Sequence, residues 1–544
     1  MSTPRAELVI TGEIVLAATP HGLETAEAIG IAAGRVVSAG TRREVTDGAM
    51  AGARMVEAGD AAVIPGLHDF HIHLVGLART RLGVLLDDAR DGEEVASRLR
   101  DAGRRLEPGT WLTGRGWTEA QVRGLRHDAL ERAVGERPAL IASHDGHSAW
   151  ASPAALAAAH VTAETPDPVG GSLERDATGI PTGFLRETAL DLVASVVPRA
   201  QGDRLRPALE TTLRQLAAFG ITGVSEAGDY TDENGIGTDA KLGDSYSTLT
   251  DLARLVDGRL RLTLGIPVDA IPAAGARSLR TGASLDGRRT MRFGWAKEYA
   301  DGALGSGTAA LFELRTCGEP SNGILRVDAD SLAAIFAAAR PAGIGLAIHA
   351  IGDRAAATVL DAVERAPARS AETPRDRIEH AQLLREADMA RFAALGVTAS
   401  FQPIHAAADR DLVEECWDGR QERAYAWRSL LDAGTLLAAG SDAPVESVNP
   451  WLGIFAAVHR RLPTDSRADW RPAQALTFAE ALGAYTLGPA RALGVGDEGH
   501  LRPGARADLA ILSVNVDTLA SADERLAEVR SVMTLVDGRE VPTG

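Results

Sequence analysis

The sequence predicts an α/β fold: a (β/α)8 TIM-like barrel, with a small β-sandwich built from both termini and a long insertion after the first barrel strand. Three observations predict it. Short β-like runs alternate with Ala-rich, helix-length stretches through the middle and end of the chain; these runs number eight, enough to close a barrel; and the two ends read instead as strands and turns. At 544 residues the chain also exceeds one ordinary core, so more than one domain is expected.

The eight runs are 62–73, 220–226, 261–268, 292–300, 344–349, 376–380, 397–402 and 436–441, each about the length of one strand. Segments such as 330–340 and 386–395 supply helices between them, and strand–helix repetition implies parallel strands with crossover helices. Roughly 150 residues separate His73 from Gly220, far too many for a simple connection. Residues 75–200 are therefore expected to form an inserted subdomain over the site, leaving 62–74 and 201–495 to the barrel. The β-rich ends, 1–61 and 496–544, are expected to join as one composite β-sandwich, with Ala33-Gly34-Arg35 turning the chain near its start.

Apolar residues make up 45% of the chain and charged residues 24%, the profile of a soluble globular protein. No run approaches the ~18 apolar residues of a membrane span, and the first ten residues lack the pattern of a secretory signal. A formal charge of −17 repels phosphate backbones, so nucleic acid is not an expected partner. A small-molecule substrate is, and self-association into a homodimer is left open. The two cysteines, Cys317 and Cys416, form no CxxC and no disulfide framework; they read as structural thiols suited to a reducing cytoplasm.

The chemistry starts in GLHDFHIH. Side chains alternate faces along a strand, so Asp69, His71 and His73 share one face, and imidazoles at i and i+2 lie roughly 7 Å apart, able to converge on one metal. Lys297, His349, His380 and Asp442 sit at the C-terminal tips of four more predicted strands, and the C-terminal face of such a barrel gathers catalytic groups. Each has a plainer reading alone: a satisfied core histidine for His349, a helix N-cap for Asp442, a partner of Glu379 for His380. Together the six point to a divalent cation. Zinc is the default for a His-rich site, and manganese or iron also fits. Lys297, in an apolar stretch with Phe293, Trp295 and Ala296, reads either as an ordinary lysine paired with Glu298 or Asp301 or as a buried amine whose lowered pKa populates the neutral form. His144 and His147 in SHDGHSAW, and backbone amides of residues 302–305, are candidate oxyanion donors. Trp117, Trp150 and Phe401 are candidate substrate contacts, although aromatic residues more often fill cores. Glu226, at the end of the second barrel run, is a candidate supporting residue.

This order of residues resembles the amidohydrolase superfamily. The strings PGLHDFHIHL, KEYADGALGSGTAAL, AIHAIGDRA, RIEHAQLL, ASFQP and GSDAPVESVNPWLGIFAAVHR resemble its amidohydrolase-3 branch, which includes N-substituted formamide deformylases and YtcJ-like metal-dependent hydrolases. The likeness implies a metallohydrolase barrel. His71 and His73 would bind the more buried metal, carbamylated Lys297 would bridge, and His349 and His380 would bind a second metal, with one or two ions left open. Asp442 would contact the buried metal and act as general base, taking a proton from water and passing it to a leaving amine in cleavage of a carbon–nitrogen, amide-type bond. A lyase or isomerase on the same scaffold, or a non-catalytic binding protein, is the alternative. The sequence departs from the branch at Phe70, where many members carry Ser, and at Gly307, where many carry Arg, so a different substrate is expected.

Overall fold

The computed structural model describes residues 4–118, 121, 128–144, 146–168, 170–198, 202–227 and 255–543. Its centre is an eight-stranded, all-parallel sheet: β1 (Leu67–Ile72), β2 (Ile221–Glu226), β3 (Arg261–Pro267), β4 (Met291–Tyr299), β5 (Leu346–Ala350), β6 (Arg377–His380), β7 (Thr398–Phe401) and β8 (Leu437–Ala439). The strands neighbour one another in chain order, and all eight expected runs contribute one. Helices between them obey ordinary stop signals. The helices Ala329–Ala342 and Glu386–Leu395 end on Gly343 and Gly396 in the left-handed conformation, which frees the chain to turn into β5 and β7. The helix Asp353–Arg365 buries Ala355, Ala356, Val359, Leu360 and Ala362, an apolar stripe at helical spacing that faces the sheet.

The ring closes between β8 and β1. Asp442 N donates to His71 O at 2.7 Å, and His73 N donates to Ala443 O at 2.8 Å. Gly440 makes this approach possible, since a Cβ there would lie 2.3 Å from His71 N.

The expected first run, 62–73, divides at Gly66. Its first part belongs to the strand Arg54–Pro65 of the terminal domain and its second is β1. A side chain at Gly66 would collide with Thr222 of β2, so glycine lets one sheet lead directly into the other. The terminal domain is assembled from both ends of the chain, as expected. Its seven strands form one hydrogen-bonded sheet in the spatial order Arg539–Val541, Ser531–Val536, Leu509–Leu512, Arg54–Pro65, Leu8–Thr19, Gly22–Ala32, Arg35–Gly40. Irregularities in the register of Leu8–Thr19 bend the sheet, and a bridge between Arg35 and Arg506 brings one edge back toward the other side. The sheet thus folds over its own core of Ile10, Ile14, Ile29, Val63, Leu509 and Leu535.

The insertion carries its own six-stranded mixed sheet and its own cores, one around Trp117 and Trp150, another around Leu173 and Leu185. No helix of the described residues is long and apolar enough to cross a membrane.

One correction concerns the cysteines. Cys317 and Cys416 form a disulfide, with Cα atoms 4.5 Å apart across a sequence separation of 99. The loop after β4 meets the helix Arg410–Cys416 beyond β7, and Thr316 N donates to Cys416 O at 3.0 Å. Only the tertiary fold brings these segments together, so spacing along the chain gave no sign of the pair. The expectation of a reducing compartment loses the support it drew from unpaired thiols. Thiol titration of denatured, unreduced protein should find none, rising to two after reduction, and reduction should cost about 2–4 kcal/mol of stability; two reactive thiols before reduction would overturn the pairing.

Candidate active site

The strand ends deliver the expected side chains to one mouth. His71 lies on β1 with His73 one residue past its end, Lys297 lies on β4, His349 on β5, His380 ends β6, and Asp442 follows β8. All six line one cavity of about 940 Å³ between the barrel and the insertion. His380 and Asp442 have φ of 73° and 60°, in the left-handed region that non-glycine residues seldom adopt. Such strain costs about 1–3 kcal/mol and persists where surrounding contacts enforce it; here the closure bond from Asp442 N to His71 O does so.

The Asp442 carboxylate is the hub. Oδ1 lies 2.9 Å from His73 Nε2 and 3.2 Å from His71 Nε2, and Oδ2 lies 3.2 Å from His405 Nε2. Two groups, His71–His73–Asp442 and His380–His405–Asp442, each bring their ligand atoms within 4.8 Å of one another. Burial works to raise the Asp442 pKa, but the imidazoles of His71, His405 and His73 outweigh it and hold the carboxyl well below its usual range.

The ligand rings are oriented from behind. A carboxylate only accepts, so His71 donates through Nδ1–H to Glu379 Oε2 at 2.5 Å, and its Nε2 faces Asp442. Glu379 is wholly buried, yet Arg377, 2.6 Å away, and His71 overcome the desolvation penalty and keep it ionised. Arg377 is fixed in turn between the Phe70 and Trp295 rings, 4.4 Å from each centroid. Glu379 therefore serves His71 rather than its neighbour His380. His349 donates through Nε2–H to Gly302 O at 3.0 Å, and burial pushes the His349 and His380 pKa values well below the imidazole range, keeping both rings neutral. Among the described residues, His380 Nδ1 is buried without a hydrogen-bond partner. An orphaned buried nitrogen costs about 1–3 kcal/mol unless it has another task. Neutral imidazoles, an ionised carboxylate and this unsatisfied nitrogen form a donor set that fits a divalent cation.

Several residues of this mouth escaped the sequence reading. His405, on the helix Pro403–Ala408 after β7, lies between Asp442 and Glu446, whose Oε1 is 3.5 Å from its Nδ1. Burial opposes its charge, but those two carboxylates raise its pKa to about 10. Glu446 also lies 3.6 Å from His144 Nε2, while His144 Nδ1 contacts Asp87 at 2.9 Å. The carboxylates of Asp87 and Glu446 outweigh burial and raise His144 to about 9, so it is cationic at neutral pH. His147 is anchored through Nδ1 to Glu187 at 3.0 Å, with its ring 5.7 Å from that of His349. Leu304 and Gly305, from the stretch expected to offer backbone amides, also line the cavity. A histidine three residues beyond a predicted strand end was the available signal for His405; Glu446 and Glu187 lie on elements whose approach the sequence does not encode locally.

The aromatic candidates separate. Trp117 reaches the cavity wall, although its Nε1 donates to Ile141 O at 2.7 Å and its ring packs on Phe184. Trp150 stacks on Phe184 inside the insertion core, and Phe401 packs on Trp427 in the barrel core, so neither lies in the cavity wall. Large rings at buried strand positions fill space between layers. Glu226 accepts from Leu74 N at 2.6 Å and so fixes the start of the helix that follows His73. Phe70 faces the barrel core against Trp295, and Gly307 adopts φ 70° beside the Arg315 guanidinium.

Comparison with known proteins agrees with this architecture. The Amidohydrolase family profile matches residues 54–542. The chain is 32% identical to Protein LONG AFTER FAR-RED 3 of Arabidopsis thaliana over 98% of its length and 91% of that protein. It is 29% identical to N-substituted formamide deformylase of Arthrobacter pascens, covering 94% of both chains. Among solved structures, an uncharacterized metal-dependent hydrolase from Pyrococcus horikoshii superposes with a TM-score of 0.74 at 24% identity, over 98% of this chain and 99% of that one. With nearly its whole length matched, the chain belongs to the Amidohydrolase family.

Proposed function

We propose that this protein is a metal-dependent hydrolase that cleaves a carbon–nitrogen, amide-type bond of a small molecule, with Asp442 as general base. The observation that carries the reading is the Asp442 carboxylate, ionised and held 2.9 and 3.2 Å from two imidazoles at the floor of a cavity of small-molecule size. His71, His73, His349, His380, Asp442 and, once carbamylated, Lys297 would hold one or two divalent cations, zinc by the preference of such ligands. A divalent cation in such a site polarises a carbonyl and lowers the pKa of water to about 7.

The protein's own groups supply the rest. Asp442, ionised at neutral pH, accepts a proton from water and returns it to the leaving nitrogen. His147, fixed through Nδ1 by Glu187, would donate toward developing negative charge on the acyl oxygen, and His144, kept protonated by Asp87 and Glu446, would add positive charge nearby. The apolar side chains Leu304, Leu412 and Val445 shield the pocket from water. The likeness to a formamide deformylase makes N-formyl amines the first compounds to assay, followed by acyl-amines and aryl esters, with acid and amine products both quantified.

Asp442→Asn should retain most of the bound metal but lower kcat by about 10²–10⁴-fold on any amide that the wild type cleaves; unchanged kcat would remove Asp442 from the role of base. Glu379→Gln replaces the anion behind His71 and should weaken metal affinity by about 10–100-fold in competition with a chelator. Equal affinity in the two proteins would mean that His71 does not bind the metal or does not need Glu379 to do so.

A further inference from the structure

Deepening that reading, and resting on it, we propose that the substrate carries a carboxylate or an anion of similar size a few bonds from the scissile amide, and that Arg326 binds it. Arg326 lines the same cavity as the ligand cluster. Its backbone N–H donates to Ala300 O at 2.8 Å, which fixes its Cα beside the residue that follows β4. Its guanidinium lies 5.4 Å from the centroid of the Tyr299 ring, and Lys297 Nζ lies 4.9 Å from the same centroid. The His349 ring is 5.3 Å from Tyr299 as well. One phenol ring therefore separates the guanidinium from two of the side chains assigned to the cation, a distance that a small substrate spans.

A guanidinium carries five N–H donors and a permanent charge. Among the described residues, no side chain or carbonyl accepts a hydrogen bond from the Arg326 guanidinium. Glu187 Oε2 lies 3.9 Å from Nη1, beyond hydrogen-bond reach. The Glu187 oxygens are engaged elsewhere, Oε2 with His147 at 3.0 Å and Oε1 with the Thr308 hydroxyl at 2.5 Å. The other arginine of the cavity wall, Arg115, differs, because its terminal nitrogens donate to the carbonyls of Pro444 and His144 and tie the insertion to the barrel. Arg326 is left with a planar fork of donors, its side chain 26% exposed, and a carboxylate matches that fork two bonds at a time.

Two compounds differing by one carboxylate test this: N-formylphenylalanine and N-formyl-2-phenylethylamine. The metal-loaded wild type should favour the first in kcat/KM by at least about tenfold, the scale of a charged hydrogen bond. In Arg326→Met that ratio should fall toward one, and Arg326→Lys should restore part of it. Titration calorimetry with 3-phenylpropionate on the same metal-loaded proteins, which needs no turnover, should show affinity at least about tenfold weaker in Arg326→Met. A ratio unaltered by both variants, together with unaltered probe affinity, would overturn the proposal. Hydrolysis of neither compound, with probe affinity still dependent on Arg326, would sink the hydrolase reading while upholding the anion site.

Discussion

The site depends on the seam where β8 meets β1. There Asp442 is tied to His71 twice, through its backbone N–H to the His71 carbonyl and through its carboxylate to the His71 ring. The closure that completes the barrel is thus also the contact that sets the distance between base and ligand. Gly440 permits the approach by lacking a side chain, and the left-handed conformation of Asp442 turns its carboxylate inward. Ring closure in the backbone and convergence of the ligands are one event.

Around that seam, charge is distributed by assigning each buried acid its own cation or set of donors. Glu379 is matched by Arg377 and His71, Glu187 by His147 and Thr308, and Glu446 by His405 and His144. Asp301, wholly buried near His349, receives backbone N–H bonds from Ala310, Ile351 and Gly352, and burial still lifts its pKa to about 7. Unpaired buried charges are costly, so this matching lets many ionisable groups crowd one cavity without unfolding it. It also gives the imidazole rings fixed orientations, which a metal site needs as much as it needs the ligands themselves.

Much of this was legible in the sequence because strand periodicity is strict. His71 and His73 face the same way for the reason that any residues i and i+2 do, and the C-terminal tips of eight runs had to meet once the runs closed. What escaped lies where chain direction changes. His405 sits past a strand end on a helix whose entry is set by Gln402 and Pro403, and Glu446 is on a loop, so neither position follows from a period. The disulfide joins segments that only the closed barrel makes adjacent. Trp150 and Phe401 were placed near substrate by residue type alone, whereas packing between layers claims them both.

The strand Arg54–Pro65 pairs on one side with Leu8–Thr19 and on the other with Leu509–Leu512. During synthesis its second edge waits for a partner until more than four hundred further residues have left the ribosome. The nascent chain therefore carries an open β-edge through nearly the whole of translation, a surface on which other chains can stack. Only Val63, Ile64 and Pro65 pair across that edge, so the stretch left open is short.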